Sequence, residues 1–193
     1  MNQHNRQEGA AQERWAIDPQ RSRLSFSLRH IVVQHIEGRF ERWGGTVFVD
    51  RDQPSLSSVE VWIDLPSITT GDEQRDDHVR SPEFLDVEHF PRATFRSQVV
   101  QLHGGHVTID GRLELHGTSR DLRVEVEEEP IGQAADDQPR YTAQATVDRQ
   151  AFGLHWNQDL DVGGIVLGDQ VKIRADLALA RVADSAHAAP ARS

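Results

Sequence analysis

Ten histidines among 193 residues make metal binding the first chemistry to weigh. Neutral imidazole is the commonest protein metal ligand, yet a site needs several donors at spacings that one fold can gather. His30 and His35 lie five residues apart, His103 and His106 flank a glycine pair, His4 and His187 stand near the ends, and no HExxH pattern occurs. That spacing describes solvated or hydrogen-bonded histidines, and no metal is expected. Cysteine is absent, which excludes disulfides, thiol catalysis and thiolate metal sites.

A second constellation is Arg75, Asp76, Asp77, His78 and Arg80. Two arginines in that arrangement could clamp a pyrophosphate, and the acids with His78 could move protons. Mixed charges at the start of a short helix more often form caps and local ion pairs, and that is the stronger reading here. His30 differs, because it continues the apolar row Leu24, Phe26 and Leu28. A buried imidazole needs a partner, either the polar head of a ligand or a backbone or carboxylate group of the chain. GxSxG elbows, P-loops and GxGxxG fingerprints are all missing. No nucleophile is assembled with a base, so the expectation is a protein without catalysis. An enzyme or metal protein using His30 with Arg75 to Arg80 is the alternative.

Charge narrows the partners. With 31 acidic against 21 basic residues the net charge is −10, which repels phosphate backbones and anionic membranes, so nucleic acid is not expected. Mean hydropathy is −0.59, and no apolar run approaches the roughly 20 residues that span a bilayer, so stable membrane insertion is not expected either. The opening MNQHNRQEGAAQER has no apolar h-region, which gives a cytoplasmic expectation, or a periplasmic one if a leader has been removed. Polar residues before Trp15 and the aperiodic 183–193 mark tails at 1–14 and 183–193 around one domain at 15–182.

Within that domain the dominant pattern has period two, which puts alternate side chains on opposite faces of a strand. Val107, Ile109, Gly111, Leu113 and Leu115 face one way, and Thr108, Asp110, Arg112, Glu114 and His116 the other. Similar alternation marks strands at 24–30, 59–65, 122–127, 141–147 and 171–179. A further strand at 40–49 carries a bulge at Gly44-Gly45, and one at 95–102 is less regular. Short Gly-containing connections at 103–106 and 116–119 suit hairpins, and 130–139 is a longer, mobile loop. The helical stretch is 73–88, with Ser81-Pro82-Glu83 resembling a helix start. Eight strands with one apolar face each, and almost no helix, must bury those faces against one another in a barrel or sandwich. Small inward residues (Gly111, Ala143, Ala145, Ala175) leave the centre of a barrel open for one small ligand. Alternatively Phe26, Phe40, Phe95 and Trp43 fill it, or the domain is a ligand-free interaction module with outward Trp62 as the anchor for a partner or a homodimer.

Several segments together resemble the YceI-like family of polyisoprenoid-binding, lipocalin-like proteins. They are WAIDP at 15–19, SRLSF at 22–26, LRH at 28–30, GRF at 38–40, IDLPSITT at 63–70 and RDDHVRS at 75–81. EFLD at 83–86, FP at 90–91, FRS at 95–97, DGRLELHGT at 110–118 and FGL at 152–154 follow in order. The resemblance implies an all-β fold: a single extended antiparallel eight-stranded lipocalin-like barrel with a short helical segment around 75–88. It also implies a lumen that holds a long isoprenoid or lipid-like molecule for sequestration, storage or shuttling. The bound molecule would be a polyisoprenoid, an isoprenoid quinone or a fatty amide, with no cofactor required. On that reading Phe26, Leu28, Phe40, Val61, Ile63, Phe95, Ile109 and Leu113 line the tunnel. Phe84, Phe90, Phe152, Leu154 and Trp156 stand near an opening, and His30 is placed to meet a polar head.

Overall fold

The computed structural model describes residues 13–30, 34–50, 52–104, 106–128, 140–156 and 167–182. The segments 1–12 and 183–193 and the expected loop at 130–139 lie outside the described residues. The strands are β1 (Glu13–Ile17), β2 (Arg23–His30), β3 (Gln34–Phe40), β4 (Trp43–Val49), β5 (Ser58–Asp64) and β6 (Ile68–Thr69). They continue with β7 (Arg92–His103), β8 (His106–Leu115), β9 (Thr118–Glu128), β10 (Arg140–Asp148) and β11 (Leu167–Arg181). One α-helix, α1 (Glu73–Arg80), precedes β7.

Neighbours pair antiparallel in the order β1-β4-β5-β7-β8-β9-β10-β11, and β11 pairs back to β1. That closes a ring of eight strands, the barrel that the resemblance implies and one of the two arrangements that alternation allows. β2 lies along the same edge of β11 as β1: residues 167–176 of β11 pair with β2, and residues 179–181 with β1. β3 then pairs with β2, and β6 with β3, so these three extend one end of the ring. The hairpin turns follow from their residues. Leu115 pairs with Thr118, leaving His116 and Gly117 as a two-residue turn, both at positive φ (50° and 69°) as a type I′ turn requires.

The structure corrects the sequence reading at four places. The expected strand 40–49 is two strands, broken at Glu41-Arg42. Buried Ser67 holds that corner, its hydroxyl accepting from the Arg42 N–H (3.0 Å) and donating to the Asp64 carbonyl (2.6 Å), while the Arg42 guanidinium pairs with Asp64 (2.6 Å). The glycine pair is not a bulge, since Gly44 and Gly45 pair in unbroken register with Trp62 and Val61. Glycine is needed there because a Cβ on Gly45 would strike the Glu60 carbonyl and one on Gly44 would press on the Trp62 ring at 3.1 Å. The bulge lies instead in β7, at Gln98 between Ser97 and Val99. It explains the irregular pattern of 95–102, because Phe95 and Val100 both turn inward only if the strand gains one residue. Finally, the helix ends at Arg80. Ser81 is its C-cap, not a start, because the Pro82 ring disfavours helical backbone at the residue before it, and Ser81 takes an extended ψ of 166°.

Two apolar clusters lie inside the ring. The larger gathers Phe26, Leu28, Phe95, Ile109 and Leu113 from the walls with Leu85, Phe152 and Leu154 from the connections at the α1 end. The second gathers Ile17, Leu24, Trp43, Ala175 and Leu179 where β1 and β4 complete the closure, and Phe40, Val61 and Ile173 touch both.

Candidate functional site

The inner wall is built by alternation. Leu24, Phe26 and Leu28 on β2, and Ile109, Gly111 and Leu113 on β8, are buried, while Arg23, Arg29, Arg112 and Glu114 beside them are exposed. Val59 and Val61 on β5, Leu122, Val124 and Val126 on β9, and Val171 and Ile173 on β11 pack against the same buried cluster yet stay only half-buried. Their outward neighbours Glu60, Arg123, Glu125 and Lys172 are exposed. Inward apolar side chains that keep accessible surface are not fully covered by their own chain.

The other expected tunnel residues sort by depth. Phe26, Leu28, Phe95, Ile109 and Leu113 are buried in the larger cluster, Phe40 and Val61 bridge the two clusters, and Ile63 packs with the second. Of the residues expected near an opening, Phe84, Phe152, Leu154 and Trp156 come together at the α1 end. Trp156 meets the Phe84 ring at 6.2 Å between centroids and the His78 ring edge-on at 4.6 Å, linking the approach to β11 with α1 across the end of the ring. Phe90 stands apart, its ring tilted against that of His116 at 4.5 Å under the β8–β9 turn. His30 is half-buried at the end of β2, opposite Leu167 and Gln34.

Sequence reasoning missed Arg149, which is 1% exposed at the end of β10. Its guanidinium donates to the carbonyls of Leu154, Trp156 (2.9 Å), Leu167 (3.2 Å) and Gly168 (3.0 Å) and to Asp169 Oδ1 (3.1 Å). It thereby fixes the backbone that carries Leu154 and Trp156 against the start of β11. An arginine in a turn before an apolar pair carries no signal of this role in sequence, because its partners are carbonyls, which every residue has.

The charged constellation is structural in the positions described. Arg75 donates to the Thr70 hydroxyl (2.7 Å) and carbonyl (3.1 Å), and Arg80 to the carbonyls of Pro66 (3.0 Å) and Ile68 (2.6 Å) and to Asp77 (3.2 Å). Buried Asp76 accepts from the backbone N–H (2.8 Å) and the hydroxyl of Thr70. Burial raises its pKa, but the Thr70 and Thr69 hydrogen bonds and the Arg80 charge outweigh that and hold the carboxyl below its ordinary value. His78 Nε2 lies 3.2 Å from a Glu83 carboxylate oxygen. These contacts pin α1 to the 66–70 segment across the end of the ring. Among the described residues no three His, Asp or Glu side chains gather as metal ligands.

The outer wall is charged. Glu60, Arg96, Arg112 and Asp121 form one row across β5, β7, β8 and β9, with Arg96 on Glu60 at 2.8 Å, and Arg123 grips Asp110 on the next row through two bonds of 2.7 and 3.0 Å. Trp62 faces outward as alternation predicts, 38% exposed under the Arg92 guanidinium at 5.2 Å. Among the described residues no helix is long and apolar enough to cross a membrane.

A model of the YceI-like domain matches residues 15–179. The chain belongs to the YceI-like family. Protein YceI of Salmonella newport (strain SL254) is 35% identical over 116 residues, which is 60% of this chain and 61% of that protein, so the match spans less than two thirds of the relative. The YceI-like barrel superimposes on Burkholderia cenocepacia BcnA with a TM-score of 0.73 at 24% identity, over 85% of this chain and 99% of that one. A polyisoprenoid-binding domain from Saccharophagus degradans matches at TM-score 0.60 and 18% identity, over 87% and 98% of the two chains. At these identities the solved structures establish the shared fold. This YceI-like chain thus has the barrel that the resemblance implied, with its apolar face inward.

Proposed function

We propose that this barrel binds one long apolar molecule in its lumen and holds it without catalysis, for storage or shuttling. The observation that carries the reading is the half-buried inner row of β5, β9 and β11, an apolar surface that packs on the core inside the ring and is not fully covered by protein. Each methylene placed against such a wall contributes about 0.8 kcal/mol, so affinity grows with chain length more than with head-group chemistry. A polyisoprenoid, an isoprenoid quinone or a fatty amide fits that description. Family membership and the polyisoprenoid-binding domain among the structural neighbours support the same class. The catalytic alternative is weakened because Arg75 and Arg80 spend their donors on Thr70, Pro66 and Ile68, where a substrate phosphate would need them.

Native mass spectrometry of gently purified protein, followed by solvent extraction, tests the proposal. One long-chain compound per barrel is expected. Protein that stays ligand-free through gentle purification and takes up no added polyprenol would sink it.

A further inference from the structure

Phe26 enters the interior from β2 and Phe95 from β7, on different sides of the ring, and both belong to the larger apolar cluster. Rings reaching inward from both walls would plug a barrel of eight strands, whose interior holds either side chains or one small ligand. Beside each ring is a glycine on the neighbouring strand. A Cβ on Gly38, which pairs with Phe26, would fall 2.7 Å from Phe26 Cε1, and a Cβ on Gly111 would fall 2.6 Å from Phe95 Cζ. Real Cβ atoms essentially never come that close, so each ring lies where the missing side chain would be, along the wall.

Neither glycine is explained by backbone conformation. Both sit inside paired strands, and neither is among the glycines at positive φ, which are Gly71, Gly104, Gly117 and Gly153. Glycine weakens a strand interior, and what requires it here is close approach by the ring together with a backbone carbonyl, that of Arg96 at Gly111 and that of Thr69 (2.9 Å) at Gly38. We propose that Gly38 and Gly111 set the bore of the lumen, keeping it wide enough for a single acyclic hydrocarbon chain and too narrow for fused rings. This rests on the lumen-binding reading above and adds to it the residues that decide cross-section.

The test titrates delipidated full-length protein with two fluorescent probes, cis-parinaric acid as an acyclic chain and dehydroergosterol as a fused-ring one. Wild type takes the polyene and refuses the sterol. Gly38→Ala forces the Phe26 ring into the lumen and weakens polyene binding about tenfold or more. Adding Phe26→Leu to Gly38→Ala restores binding to within about threefold, because the smaller side chain clears the new methyl. Should Gly38→Ala unfold, as judged by its thermal transition, Phe26→Trp narrows the same place from the ring side and must weaken binding likewise. If folded Gly38→Ala or Phe26→Trp binds the polyene as wild type does, or if wild type takes the sterol equally well, the bore assignment is overturned. Wild type that binds neither probe overturns the lumen-binding reading itself.

Discussion

At the scale of single residues, the largest buried commitment is Arg149, whose five donors all end on the strands and turn that frame one end of the ring. A guanidinium can reach four carbonyls and a carboxylate at once because its donors are fixed in a planar fork, and a lysine cannot. Arg149→Lys is therefore expected to cost nearly as much as Arg149→Met, about 3 kcal/mol in urea unfolding, since either leaves several inner carbonyls without donors. A lysine variant as stable as wild type would refute the fork argument. The residue scale is also where sequence was least informative. Phe26, Leu28, Ile109 and Leu113 were legible because each occupies an alternating row, whereas Arg149 lies off any row. Gly38 and Gly111 gave no cue beyond composition; Gly111 was expected to leave a void, and the structure shows the Phe95 ring occupying it.

At the scale of elements, strands with an uninterrupted row such as β8 and β2 were readable, and those without one were not. β3 offers only Ile36 and Phe40 as inward apolar residues around Gly38, and β6 is two residues long, so neither has a pattern to detect. β1 begins at Glu13, two residues inside the stretch expected as tail, because it is defined by its pairing with β4 and β11 and not by its own composition. The helix α1 depends on contacts of the same non-local kind. With its folded pKa below the ordinary value near 3.8, Asp76 contributes stability that is complete above that value and lost as pH falls through the lower, folded one. Acid is therefore expected to weaken the hold of the 66–70 segment on α1. Asp76→Asn keeps an acceptor for Thr70 but no charge, and is expected to cost about 1 kcal/mol at neutral pH while flattening the acid dependence. Hydrogen exchange of the α1 amides across the carboxylate range reads this out, and identical acid sensitivity in the two proteins would count against it.

At the scale of the molecule, closure rests on the short contact between β1 and β11, where Trp15, Ala16 and Ile17 meet Arg181, Ala180 and Leu179. Removing residues through Ile17 exposes one edge of β4 and part of one edge of β11, and unpaired edges recruit other chains. The truncated protein is expected to self-associate in light scattering and to lose retention of a bound polyene, while a monomeric truncation that still holds the probe would show that the ring closes without β1. The same long strand completes the ring. β11 alone joins β10 to both β1 and β2, and it is the last of the described strands along the chain. While β11 is undocked the rest of the ring is an open sheet with its apolar face bare, and pairing between the first and last described strands makes folding slow. If the ring holds an apolar molecule as proposed, the docking of β11 is the step after which that molecule can enter only through an end of the ring.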